Sequence, residues 1–243
     1  NNSSVFGRFS SRLKDMGITT IYPLLLAVEG DSQINSIDKE QIYQALDSYI
    51  TRRFLCGYTT KNYNNVFLDF IKFLNQNKTA DSFLTFLKSK TGESNLWPTD
   101  VIVKEKLLDR PIYREEKGKS KSLCNILLEI EKHKRGKKQE KIDFVNEGLT
   151  IEHLLPQKWF ENWALEGRFI PIEEFEIAKH AVMTEEDSNG FYHKIEKRNK
   201  ALHSIGNLTI LTEALNPAVS NKSFQGKKIN QSPIACFLDI KKA

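Results

Sequence analysis

The chain has 243 residues, of which 40% are hydrophobic and 28% charged, with a formal net charge of +5. That is enough to bury a sizeable core without staples, and 15 Phe, 7 Tyr and 3 Trp are too much apolar surface for a chain that stays disordered. The longest apolar runs, such as Leu24–Val28, fall far short of the roughly 20 residues a membrane helix needs.

No leader with basic, apolar and small-residue parts opens the chain. The three cysteines, Cys56, Cys124 and Cys236, are far apart. They make neither a disulfide framework nor a CxxC zinc pair, and they suit a reducing, cytoplasmic setting.

In chain order, Ser36 with Lys39 and Glu40 reads as a helix start. Ile42, Leu46, Tyr49, Ile50 and Phe54 then recur at helical spacing until Gly57-Tyr58-Thr59-Thr60 breaks the pattern. Tyr63, Val66, Phe67, Phe70, Ile71 and Leu74 form the next stripe, and Asp81 precedes a short helix carrying Phe83, Leu84, Phe86 and Leu87. Trp97-Pro98-Thr99-Asp100 marks a turn and N-cap before Val103, Leu107 and Leu108, and Leu123–Glu131 is a further amphipathic segment. Such stripes are the core packing of a helical bundle.

The pattern changes near residue 142. Phe144, Val145, Leu149 and Ile151 lie among polar neighbours in a strand-like stretch. Trp159–Leu165 and Glu173–Met183 read as helices, Ser188-Asn189-Gly190 as a turn, and His203–Thr212 as a strand around Gly206. Thr212–Ala218 reads as a short helix or turn and Ser223–Asn230 as a helix. The expected division is a helical domain, 1–141, and a second domain, 142–243, with the boundary between Gly136 and Gly148.

Charge divides in the same way. Residues 1–141 hold 24 Lys/Arg against 17 Asp/Glu, whereas residues 142–243 hold 12 against 14. Much of the excess sits in Lys117–Lys141, notably Lys132, Lys134, Arg135, Lys137, Lys138 and Lys141. A strip of this kind either follows a phosphate backbone or is a solvated helix end; charge alone leaves both open.

Two segments concentrate catalytic residue types: Ile151-Glu152-His153-Leu154-Leu155-Pro156-Gln157 and His203-Ser204-Ile205-Gly206-Asn207-Leu208-Thr209-Ile210-Leu211, the latter running on to Leu215-Asn216-Pro217 and Ser220-Asn221-Lys222-Ser223-Phe224. A carboxylate beside a histidine at a strand end can divide two tasks, one holding a hard cation through oxygen and the other taking a proton from water. Neighbours on a strand face opposite ways, so Glu152 and His153 serve one site only if the strand ends or kinks there, as the nearby Pro156 allows. A Glu-His pair is also a common structural hydrogen-bonding unit. His133, His180 and His193 read as surface residues.

Glu-His-Leu-Leu-Pro-Gln, Gly-Asn-Leu-Thr-Ile-Leu-Thr, the later Leu-Asn, and Ser-Asn-Lys-Ser-Phe followed by Lys-Lys resemble the C-terminal HNH domain of GmrSD-like Type IV restriction enzymes, one of the His-Me finger (ββα-metal) nucleases. The HNH domain of CRISPR effector nucleases is similar around its acidic-His and Asn positions. Asp47–Gly57 and Trp97-Pro98-Thr99-Asp100 resemble the helical segment preceding that domain, so the resemblance covers most of the chain.

The resemblance implies an α+β, mainly α fold, with an N-terminal helical bundle followed by a ββα-metal nuclease domain. It also implies a restriction or anti-phage effector that hydrolyses phosphodiesters of DNA, modified or unmodified, with a single Mg²⁺ or Mn²⁺. In that frame His153 resembles the general base. Glu152 and Asn216 stand where metal ligands stand, and Asn207 matches an Asn whose amide fixes the loop carrying His153. His203 orients the site or touches phosphate, or is a buried structural histidine.

Lys134, Arg135, Lys137 and Lys138, with Lys222, Lys227 and Lys228, are candidates to hold the nucleic acid. An N-terminal sensor and nucleotidase part is expected to be missing from this chain, which opens Asn1-Asn2-Ser3-Ser4 without a Met, and a homodimer is a possible assembly. Two other readings compete. One is an inactive helical nucleic-acid-binding module with an HNH remnant. The other is a structural zinc protein, which the lack of clustered Cys/His disfavours.

Overall fold

Short polar side chains set where several of the helices begin. Ser4 Oγ accepts from Gly7 N–H at 3.0 Å ahead of α1 (Val5–Met16), Asn35 Oδ1 accepts from Asp38 N–H at 2.9 Å ahead of α3 (Ser36–Cys56), and Thr79 Oγ1 accepts from Ser82 N–H ahead of α5 (Ala80–Lys88). Each bond satisfies a backbone donor that the helix leaves orphaned. Gly17 and Gly57 close α1 and α3 in the left-handed conformation, with φ of +67° and +74°, which costs glycine least.

The computed structural model describes residues 4–134, 148–180 and 190–212. Contacts along the chain gather into two units, 1–107 and 108–243. That division falls well before the change of pattern and charge near 142. The two boundaries mark different properties: contacts thin out at the first, and residue patterning changes at the second.

In the first unit, α1, α2 (Tyr22–Gly30), α3, α4 (Tyr63–Gln76) and α5 surround a core that includes Phe9, Leu24, Leu46, Phe70 and Phe83, none more than 1% exposed. The stripes on α3, α4 and α5 are the buried faces expected of them. Arg53 is fully buried within this core. It donates to the carbonyls of Thr59, Glu93 and Leu96 and lies 5.0–5.6 Å from the ring centres of Tyr49, Tyr58 and Tyr63. Carbonyl dipoles and aromatic faces thus take the place of water around the charge.

The core reading fails for α6 (Asp100–Asp109), which has no buried residue; Leu108 is 77% exposed. Its apolar residues are interrupted by Lys104, Glu105 and Lys106, so they never form a stripe wide enough to face a core.

The second unit contains α7 (Ile112–Glu115), α8 (Ser120–Lys134), β1 (Leu149–His153), α9 (Ile172–His180), α10 (Phe191–Leu202) and β2 (Leu208–Thr212). The strands pair antiparallel, with His153 opposite Leu208, Glu152 opposite Thr209 and Ile151 opposite Ile210. Helix α8 packs on both strands. The described chain is therefore mainly helical with one small antiparallel sheet.

The connection from β1 to β2 carries its own core, formed by Trp159, Phe160, Leu165, Ile170, Phe175, Ile195 and Leu202. Trp159 buries its ring while its Nε1–H donates to Asn199 Oδ1 at 2.9 Å, which spares the indole an unpaired donor.

Two expected elements are shorter than the sequence suggests. In place of a helix over Trp159–Leu165 there is one 3-10 turn, Trp159–Glu161. Glu166 and Gly167 then both take positive φ, and Leu165 and Arg168 exchange backbone hydrogen bonds across them, a two-residue reversal that ends any helix. The strand expected over His203–Thr212 begins only at Leu208, because Ile205–Asn207 form a 3-10 turn. Phe144, Val145, Ser188, Asn189 and the elements expected from Glu213 onward lie outside the described residues. No described helix is long and apolar enough to cross a membrane.

Candidate active site

Strand β1 ends on His153, and the chain bends away through Leu154 and Leu155. Glu152, one residue earlier, is half-buried and faces the other side of the sheet, with Thr209 as its cross-strand partner.

Asn207 fixes the bend. Its Oδ1 accepts from Leu155 N–H at 2.8 Å, and its Nδ2 donates to the carbonyls of Leu155 at 3.1 Å and Leu202 at 2.8 Å. The Asn207 carbonyl accepts from Leu154 N–H at 2.8 Å. One residue thereby ties the end of α10 and the start of β2 to the two residues that follow His153.

His203 follows α10 as its C-terminal cap. Its Nδ1 lies 3.1 Å from His153 Nε2, with the two rings nearly perpendicular at 82°. The imidazole of His153 is 3% exposed, whereas His203 is half-buried. Burial, and then the charge of Arg114, hold the pKa of His203 below the usual histidine range. A neutral His203 keeps a lone pair for a neighbour.

A third ring completes the group. Tyr113 of α7 packs edge-on against His153, with ring centres 4.5 Å apart, and parallel to His203 at 5.9 Å. Its backbone N–H donates to the His203 carbonyl at 3.2 Å. Sequence reading did not single out Tyr113. It sits alone in Pro111-Ile112-Tyr113-Arg114, outside either motif, and only the three-dimensional packing brings it to the histidines.

His153, His203 and Asn207 therefore meet at the end of β1, and Glu152 lies one residue earlier on the opposite face of the sheet. Lys134 closes α8 and is exposed. Asn216, Arg135, Lys137, Lys138, Lys222, Lys227 and Lys228 lie outside the described residues. His133 is exposed, and His193 is partly exposed with its Nδ1 3.6 Å from Glu196.

Among the described residues no three His, Cys, Asp or Glu gather as a metal-binding group. The candidate donors, the Glu152 carboxylate and the Asn216 amide oxygen, are both hard oxygens. Such a set fits a cation that keeps most of its waters, as Mg²⁺ does.

The chemistry open to the group follows from the 3.1 Å contact, in which one imidazole must donate. If His153 donates through Nε2, its Nδ1 carries the lone pair and is the basic nitrogen; if His203 donates through Nδ1, its own Nε2 is basic. Either arrangement yields one oriented neutral base.

Comparison with known families matches residues 97–239 to the model of the C-terminal domain of GmrSD restriction endonucleases. No curated protein and no solved structure matches the chain.

Proposed function

The chain belongs to the family of the GmrSD restriction endonucleases by their C-terminal domain, and on that premise we propose that it is a divalent-metal-dependent DNA endonuclease module of the HNH, ββα-metal type, in which His153 is the general base. The observation that carries this reading is the meeting of two motifs fifty residues apart, with the imidazoles of His153 and His203 in hydrogen-bond contact at the end of β1.

In this reading His153 donates through Nε2 to the neutral His203, and its Nδ1 takes the proton of the attacking water. Glu152 and Asn216 would hold the cation, a single Mg²⁺ or Mn²⁺. When bound, the metal supplies positive charge at the scissile phosphate and the leaving oxygen. Asn207 keeps the residues after His153 from drifting, so that the base meets the water in one geometry. The basic residues Lys134, Arg135, Lys137 and Lys138, and Lys222, Lys227 and Lys228, hold the DNA backbone. The effector role in restriction, the pairing with a separate sensor part, the possible homodimer, the cytoplasmic setting and the functional division 1–141 and 142–243 belong to the same proposal.

A second assignment has an observation in its favour. His153 is 3% exposed and His203 is half-buried, so solvent reaches the second imidazole more readily. In that version His203 is the base and His153 orients it. The variants His203→Ala and His203→Asn separate the two. Asn offers an acceptor where Nδ1 stood but no group of suitable basicity. Under the first assignment His203→Asn keeps much of the cleavage that His203→Ala loses; under the second both are equally inactive.

A further inference from the structure

From α7 into the first turn of α8 runs a segment of unusual charge economy. Residues 114–121, Arg-Glu-Glu-Lys-Gly-Lys-Ser-Lys, hold four cations and two carboxylates. The carboxylates pair with Arg110 and Lys119 and with no other cation of the segment. Arg110, 8% exposed, pairs with Glu115 through Nε and with Glu116 through a terminal nitrogen. Glu116 is itself largely buried, and Lys119 reaches it at 3.6 Å. Both local carboxylates thus pair with a single buried guanidinium, Glu116 from a largely buried position and Glu115 from an exposed one. Arg114, Lys117 and Lys121 are left exposed, and among the described residues none of the three takes part in an ion pair.

The position of this segment matters as much as its charge. Tyr113 is bonded through its N–H to the His203 carbonyl and packs its ring on both imidazoles, so Arg114 follows directly on the residue that borders the histidine pair. The charge of Arg114 is felt at His203. Helix α7 and the 3-10 turn Lys117–Lys119 keep the stretch short. Lys121 follows Arg114 by seven residues, the chain running from α7 through the 3-10 turn into the first turn of α8.

We propose that Arg114, Lys117 and Lys121 form a phosphate-binding ridge that seats the backbone of duplex DNA beside the His153–His203 pair. The proposal rests on the nuclease reading for its choice of polyanion, and it goes beyond it in assigning phosphate contact to Arg114 and to the first residues of the Lys117–Lys141 stretch, beside the histidine pair. Ammonium and guanidinium groups that no carboxylate neutralises are those whose counterions are exchanged for phosphate on binding. The ridge reads no sequence; it sets register and orientation.

The test is the salt dependence of binding to a short fluorescein-labelled DNA duplex, followed by anisotropy in EDTA so that no cleavage intervenes. The full chain is compared with R114Q/K117Q/K121Q and with K14Q/K61Q/K106Q, which removes the same three charges from exposed positions of the other unit. The expected result is a slope of log K against log salt that falls in magnitude by about 2 to 3 for the first variant, at roughly 0.9 per phosphate contact, and stays near that of the parent for the second. If the triple variant fails to fold by circular dichroism, R114Q alone is expected to lower the slope by about 0.9. Equal slopes in parent and ridge variant, or a parent that binds no duplex, overturn the proposal. A chain that binds with the ridge-dependent slope but cuts no DNA with any divalent metal keeps the ridge and overturns the nuclease reading.

Discussion

His153 Nε2 and His203 Nδ1 lie 3.1 Å apart, joined by the folding of a long connection with its own core between β1 and β2. A contact of this length between two imidazoles ties their tautomers together, since only one nitrogen can carry the shared hydrogen. With His153 as donor, His203 acts as the partner that aims the base. Replacing His203 by Ala is then expected to lower the cleavage rate by at least about 10²-fold, in line with losing the residue that holds a catalytic histidine in its tautomer. His203→Asn is expected to recover a substantial part of that loss. Single-turnover cleavage of a plasmid by the two variants is the measurement.

Tyr113 supports the same pair through its ring. Removing the ring in Tyr113→Ala frees both imidazoles to turn, and misplacement of about 1 Å costs on the order of 10²-fold in rate. Tyr113→Phe retains the packing against His153 and His203 and is expected to cleave nearly as well as the parent. Nitrogen-15 spectra of the histidine side chains give a readout independent of cleavage: one tautomer per ring in the parent and in Tyr113→Phe, and a mixture in Tyr113→Ala.

The depressed pKa of His203, caused first by burial and then by Arg114, links stability to pH with a definite sign. A histidine that resists protonation when folded is neutral in both states above about pH 6.5, where it contributes nothing. Below that value the unfolded chain binds the proton and the folded chain does not, so stability falls with falling pH until the folded pKa is passed. Protonating His203 also removes the lone pair that accepts from His153. Urea midpoints measured across this window are expected to fall as the pH drops, and to fall less steeply in His203→Gln, which has no titrating group there.

Asn207 joins three backbone groups through one carboxamide, at 2.8, 3.1 and 2.8 Å. In Asn207→Ala those groups lose their partners together, at an expected cost of about 2 to 4 kcal/mol by urea denaturation. Asn207→Asp keeps the acceptor for Leu155 N–H but turns the Nδ2 donor into an oxygen facing two carbonyls. It is expected to destabilise at least as much as the Ala variant.

The sequence carried the helical part of the fold because its signals are local. The stripes Ile42–Phe54, Tyr63–Leu74 and Phe83–Leu87 are runs at one period, bounded by a capping residue or glycine, and they became α3, α4 and α5. Helix α2 escaped notice because its Leu24, Leu25, Leu26 and Val28 lie side by side and give no period to read. In α1, by contrast, Phe9, Leu13 and Met16 are spaced as a helix requires; α10, with only Ile195 and Leu202 buried, has a weaker stripe.

For the site, motif order was enough to bring Glu152, His153, His203 and Asn207 under consideration together. It was not enough to show that His203 bonds His153 or that Tyr113 packs on both. Those contacts depend on where α7 meets the end of α10, a long-range packing outcome with no periodic or spacing signature.

Cleavage of supercoiled plasmid DNA with Mg²⁺ or Mn²⁺, parent against His153→Ala, tests the central claim most directly. The parent is expected to nick or linearise the plasmid, and the variant, folded as judged by circular dichroism, to be slower by about 10²- to 10⁴-fold, the usual contribution of a general base. Equal cleavage by the two proteins would contradict that claim.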